Sequence, residues 1–185
     1  PEWTVEGKAA VAYAIAEHCP DADLIVQTVG AGYGPIGYEL GFARARHIDV
    51  FSHAAVVRSH RFLLVQPADA ALLARAWHDP AHHLPDSGEL PADPFEPTLQ
   101  STNAAQTFPL LRHLPIDDIR AIAPERVVAQ RERIEALLSA VGIHLDFARE
   151  HSSHIALASL LERPPAPERR IAIVITGSAP FPAGM

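Results

Sequence analysis

Residues 23–34 read DLIVQTVGAGYG, and this stretch decides the fold. Its first part, 23–29, is a short apolar run with β-branched Ile25, Val26, Thr28 and Val29, the pattern of a buried strand. Gly30-Ala31-Gly32-Tyr33-Gly34-Pro35 follows, and a helical pattern then covers 36–46. A strand that runs through glycines into a helix is a building unit of α/β sheets. Glycines let the backbone turn sharply and aim several N–H groups at one point. The helix behind them adds the partial positive charge of its N-terminus. Together these features describe a cradle for phosphate. It is not a P-loop, because no GK[ST] follows, and no acidic residue stands in clear context about 20 residues on, as a dinucleotide site requires. A tight strand–helix turn without a ligand makes the same demand for glycine, so both readings stay open at this point.

Working outward, residues 6–19 predict a helix with Val11, Ala14, Ile15 and His18 at helical spacing, stopped by Pro20 and Asp21. Residues 61–67, RFLLVQP, predict a second strand, and Asp69 a cap for a helix over 70–78. Residues 79–97 hold five prolines with His82 and His83 and predict an exposed loop. Between 98 and 124 only a strand near 119–122 is legible. Residues 125–141 predict one helix, with Val127, Val128, Ile134, Leu137, Leu138 and Val141 on one side and Gly142 at its end. Another helix is expected over 150–162, capped by Ser152 or Ser153. Residues 171–177, IAIVITG, give the plainest strand; 171–175 are continuously apolar, as a strand buried on both faces should be. The expected fold class is α/β: a three-layer αβα domain with a mostly parallel sheet, one domain over 1–185.

Composition narrows the function. The chain has 185 residues and 20.0 kDa, and 48% of it is apolar, enough for a sizeable core. A net charge of −7 argues against nucleic acid or an anionic membrane as the main partner. No apolar run reaches the roughly 18 residues of a spanning helix, and the start lacks a signal-peptide pattern. Cys19 is the only cysteine, which excludes an internal disulfide and makes the cytoplasm the expected compartment. Lys8 is the only lysine; the other fourteen basic residues are arginine. Chemistry that needs a lysine therefore has one candidate here. Glu150, His151 and His154 share a helix face, but no further ligand has suitable spacing, so no metal is expected. Ser152 and Ser153 lack a GxSxG setting, so no hydrolase nucleophile is expected either. Thr176 closes the last strand, where α/β sheets bind ligands, although a plain strand end reads the same way.

Five segments, in order, resemble the C-terminal part of threonine synthase-like enzymes of the fold-type II pyridoxal phosphate (PLP) superfamily. Glu6-Gly7-Lys8 and the helix through Glu17 are similar to the family's "EGKKT-ayEiaEql"; 24–34 to "vVVPVGnGGn"; 61–77 to "r-vgvQaegaapiaraw"; 150–161 to "EPsSAaalAaLlk"; and 171–177 to "vvvvlTGhGlkdp". The resemblance implies pyridoxal 5′-phosphate as cofactor. Gly30, Ala31, Gly32, Tyr33 and Gly34 would wrap its phosphate with backbone N–H groups. Thr176 would hydrogen-bond the pyridine nitrogen, and Glu150 would lie near the ring. A hydroxyl partner leaves the ring a milder electron sink, suited to β- or γ-elimination and replacement. There are departures: Tyr33 stands in a run that is usually small or polar, His151 replaces a proline, Ala104 follows Asn103 where an NP pair is usual, and Ser178-Ala179-Pro180 replaces the HGL tail.

In the family, the Schiff-base lysine and the asparagine loop that grips the substrate lie upstream of the segment resembling Glu6. Lys8 falls in the "EGK" segment, to which the resemblance assigns no Schiff base; a surface or interdomain ion pair is its expected role. No catalytic residue is therefore expected in this chain. The resemblance implies a split enzyme acting on an amino acid, with the lysine and asparagine loop on a partner chain, in a hetero-oligomer. Two alternatives stand beside it: a non-catalytic module for PLP or another phosphorylated ligand, and a fragment of a longer enzyme.

Overall fold

The computed structural model describes residues 2–48, 51, 53–86, 90–92, 94–100, 103–147 and 150–175. Helix α1 (Glu2–His18) leads into strand β1 (Leu24–Thr28), the glycine turn and helix α2 (Tyr33–His47). A short helix α3 (Ala55–Arg58) precedes β2 (Arg61–Pro67) and α4 (Leu72–His78). Then come α5 (Ala104–Leu111), β3 (Ile116–Ile122), α6 (Pro124–Ala129), α7 (Arg131–Ala140), α8 (His151–Glu162) and β4 (Ile171–Ile173). The four strands form a parallel sheet in the order β3-β2-β1-β4.

Side chains alternate across a strand, so each strand feeds two cores. Ile25, Phe62, Leu64 and Ile119 face one side and pack with α1, α2, α4 and α5 through Ile15, Phe42, Leu73 and Phe108. Leu24, Val26, Leu63 and Val65 face the other side and meet Val127, Ile134, Leu138 and Ile155 of α6, α7 and α8. This is the expected three-layer α/β arrangement. The central strands β1 and β2 are buried almost throughout, which explains their unbroken apolar reading.

Several local expectations change. The expected helix over 125–141 is two helices broken at Gln130. The break shifts the helical phase, so Val127, Ile134 and Leu138 are buried while Val128, Leu137 and Val141 are exposed. The last strand ends at Ile173 among the described residues and lies at the sheet edge, with Ile171 partly exposed. Asp69 does not cap α4; its carboxylate accepts the Phe95 N–H at 2.7 Å. The capping role falls to Gln66, whose Oε1 accepts the Ala74 N–H at 3.0 Å. Ser152 and Ser153 lie inside α8, and Glu150 is its N-cap residue. The proline-rich loop is not wholly exposed: Glu96 is buried and Phe95 stacks on His151, with ring centroids 4.5 Å apart. His83 is exposed, but His82 is half-buried beside the Ala76 carbonyl, at 3.3 Å. Among the described residues, no helix is long and apolar enough to cross a membrane.

Helices α1 and α2 touch at backbone distance. A Cβ on Gly41 would fall 2.4 Å from the Ala9 carbonyl oxygen and 2.6 Å from the Ala12 Cβ. In an open helix alanine is favoured over glycine by roughly 1 kcal/mol. Here backbone blocks it, so Gly41→Ala is expected to destabilise by about 1–3 kcal/mol. Thermal melting checks the sign: a raised Tm would contradict the crossing.

Glu39 of α2 sits between Arg46 at 2.8 Å and His60 at 3.0 Å, and His60 is wedged between Phe42 and Phe62. Burial pushes the Glu39 carboxyl up, but the His60 and Arg46 contacts outweigh it and hold it below its ordinary 4.5. A depressed carboxyl stabilises the fold above its unfolded value and loses that contribution as pH falls through the folded one. Glu39→Gln should therefore cost about 1 kcal/mol at neutral pH and show a shallower stability loss than wild type below pH ~4.5. Urea titrations at neutral and acid pH measure both.

Candidate functional site

β1 ends at Thr28, and the chain must enter α2 at Tyr33. Gly32 makes this possible with a φ of +84°, the left-handed region, where an L side chain is strained. Leu111 of α5 packs over it; a Cβ on Gly32 would fall 2.6 Å from Leu111 Cδ1. The loop's carbonyls are held from outside. Gln66 Nε2 donates to the Gly30 oxygen at 3.0 Å, and the Thr107 hydroxyl donates to the Ala31 oxygen. The Tyr33 hydroxyl donates to Gln106 Oε1 at 3.4 Å.

The N–H groups are left over. α2 has no side-chain N-cap, and Pro35 in its first turn has no N–H to offer. Among the described residues, the N–H groups of 30–34 have no backbone or side-chain acceptor. They border a cavity of about 330 Å³, also lined by Thr4, Lys8, Gln27 and Gln100. Among the described residues, Lys8 is the only charged residue lining the cavity and no carboxylate lines it, although the chain as a whole is acidic. Unpaired N–H donors, a helix N-terminus and one ammonium group make this an anion-binding geometry.

The structure brings together Gly30, Ala31, Gly32, Tyr33 and Gly34 at this cavity, and adds Lys8 and Gln27. Lys8 makes no ion pair among the described residues. Glu150 is not among the lining residues. It is buried at the start of α8 and accepts the Ser153 hydroxyl at 3.0 Å. The Thr28 hydroxyl ties that helix start to the end of β1 by donating to the Ser152 oxygen. His154 is buried and bonds the Glu150 carbonyl at 2.7 Å. Thr176 and the segment 178–180 lie outside the described residues.

A threonine deaminase from T.th. superposes with a TM-score of 0.61 at 19% identity over 96% of this chain. Serine racemase from Dictyostelium discoideum gives 0.63 at 17% over 95%. The processed form of threonine deaminase isoform 2 from Solanum lycopersicum gives 0.67 at 18% over 94%. The chain shares their fold. It spans 58%, 50% and 42% of those chains respectively. No protein-family model and no curated protein sequence matches it.

Sequence reading locates the glycine loop but misses the residues that shape it. Gln66 and Thr107 hold its carbonyls from distant segments, and α5, which carries Thr107 and Leu111, is hidden by Pro109 within its eight residues. A signal for Gln27 and Gln66 does exist: each is a lone amide that follows an apolar run within its strand. Gly32→Ala is expected to cost about 1–2 kcal/mol, the left-handed penalty for an L residue. Denaturant titration checks this, and unchanged stability would contradict the turn geometry.

Proposed function

We propose that this chain is the cofactor-phosphate half of a fold-type II PLP-dependent enzyme acting on an amino acid. Threonine deaminase and serine racemase are fold-type II PLP enzymes, and the shared fold supports that superfamily. The observation that carries the reading is the cavity at 30–34, which among the described residues has N–H donors without acceptors, one lysine and no carboxylate. A phosphate monoester suits this donor set, so the residues present fit the cofactor's phosphate. When bound, PLP supplies an electron sink for the bonds at the substrate's α-carbon.

Within this chain the assigned roles are binding and orientation. The N–H groups of Gly30, Ala31, Gly32, Tyr33 and Gly34 hold the phosphate. Thr176 is assigned to the pyridine nitrogen and Glu150 to the vicinity of the ring. The base is a lysine outside these residues, on a second chain that also brings an asparagine loop for the substrate carboxylate. Lysine suits that task because burial lowers its pKa toward a usable base. The pair would form a hetero-oligomer in the cytoplasm. Its chemistry would be threonine synthase-like β- or γ-elimination or replacement.

The test uses the fact that Lys8 is the chain's only lysine. The chain is mixed with PLP, reduced with borohydride and analysed by peptide mass, alone and with the candidate partner. The expected result is reversible PLP binding by the chain, no adduct on Lys8, and a reduced adduct on the partner's lysine. An adduct on Lys8 with turnover by the chain alone would overturn the split assignment. Absence of any PLP binding, alone or with the partner, would overturn the cofactor assignment.

A further inference from the structure

Thr98, Leu99 and Gln100 make one wall of the cavity at the glycine turn. The wall lies close: a Cβ on Gly30 would fall 2.8 Å from the Leu99 carbonyl oxygen. The placement of 98–100 therefore sets the room left beside the turn. Among the described residues, no backbone–backbone hydrogen bond ties 94–100 to another segment. The bonds inside it are local. The Glu96 carboxylate accepts the Thr98 N–H at 3.1 Å and the Thr98 hydroxyl at 2.6 Å, and the Glu96 carbonyl accepts the Leu99 N–H at 3.0 Å. They fold 97–99 into a single 3₁₀ turn that is fixed to Glu96. Buried Leu99 holds this turn on the core shared with Ile155, but an apolar contact has no direction. Direction comes from Phe95. Its N–H is accepted by Asp69 Oδ2 at 2.7 Å, and its carbonyl faces His151 Nδ1 at 3.1 Å. A carbonyl only accepts, so Nδ1 carries its hydrogen and donates. The His151 ring also stacks on the Phe95 ring, 4.5 Å between centroids and 19° between planes. Phe147 meets the His151 ring edge-on at 5.0 Å, and the Arg131 guanidinium stands 5.0 Å over Phe147.

We propose that His151 is a positioning residue of this site: by holding the Phe95 carbonyl it sets the 97–99 turn and, with it, the wall of the cavity. The inference rests on the reading of that cavity as the ligand site. His151 is not among the lining residues, so it acts through Phe95. The Phe95 carbonyl and the Glu96 N–H share one rigid peptide plane. Asp69 fixes only the plane before Phe95. Without the His151 bond the plane after it is free to turn, and Glu96 carries the 97–99 turn along. The stack and the hydrogen bond do separate work. Stacking confines the Phe95 ring but leaves its carbonyl free, whereas the Nδ1–H fixes the carbonyl. The resembling sequences carry proline in place of His151, and a proline side chain has no donor, so the clasp is this chain's own.

The 185-residue chain is compared as wild type, His151→Ala, His151→Phe and His151→Asn, each with a thermal melt. Hydrogen–deuterium exchange without ligand reads the Phe95, Thr98, Leu99 and Gln100 amides, and stopped-flow absorbance follows the release of PLP. His151→Ala and His151→Phe are expected to exchange these amides about fivefold faster or more, with β1 and β2 unchanged. PLP should leave both variants faster by a similar factor. His151→Asn loses the stack but keeps a donor near the Nδ1 position, and should return both readings most of the way to wild type. Wild-type exchange at 95–100 in His151→Ala and His151→Phe overturns the clasp. Faster exchange there with unchanged PLP release overturns the positioning role. Either result leaves the cofactor reading standing. Faster exchange spread evenly over the strands, with a lowered Tm, marks a merely structural residue and overturns the role as well. No PLP binding by wild type overturns the cofactor reading and the positioning role together. His151→Phe and His151→Asn keep the inference decidable should His151→Ala melt early.

Discussion

The backbone turn from β1 into α2 constrains everything around it. Four residues, from Val29 to Gly32, carry the chain from the centre of a parallel sheet into a helix that lies across α1. The turn is pressed from outside by Leu99 and Leu111, and its carbonyls are taken by Gln66 and Thr107. An amide plane fixed by its carbonyl also fixes the direction of its N–H. The packing that closes the turn therefore also sets the direction of the Ala31 and Gly32 N–H groups at the edge of the cavity. Structure and candidate function share one cause at this place, and the positive φ of Gly32 is the residue-level price of both.

The same residues link distant segments. Gln66 bonds the loop with one end of its amide and the first turn of α4 with the other. Thr28 bonds the start of α8. Helices from both layers are thus registered to the carboxyl end of β1, where α/β sheets place their ligands. At the opposite end of the strands, Arg61 pairs with Asp117 and Arg169 with Asp23 and Asp117. Those contacts tie the strand starts together and leave the other end to the site.

Much of this is legible in the sequence because the decisive elements are local. The strand over 61–67 and the glycine turn are set by short-range pattern, and the structure places both there. What escapes the sequence is set at long range. The break at Gln130 has no glycine or proline to mark it, so 125–141 reads as one helix. β4 reads as a central strand because it is apolar, yet its place at the sheet edge depends on pairing order. Lys8 is readable as unusual in composition, but its position at the cavity depends on how α1 crosses α2. The only lysine of the chain lies beside the candidate anion site, a fact that counting could not supply.

The central claim is that the N–H groups of residues 30–34 hold a phosphate. A crystal structure of the chain grown with PLP tests it most directly. The account predicts the phosphate within hydrogen-bond distance of the Gly30–Gly34 backbone, with Lys8 beside it. PLP bound elsewhere with the loop empty, or a loop whose N–H groups point away from the cavity, would contradict it.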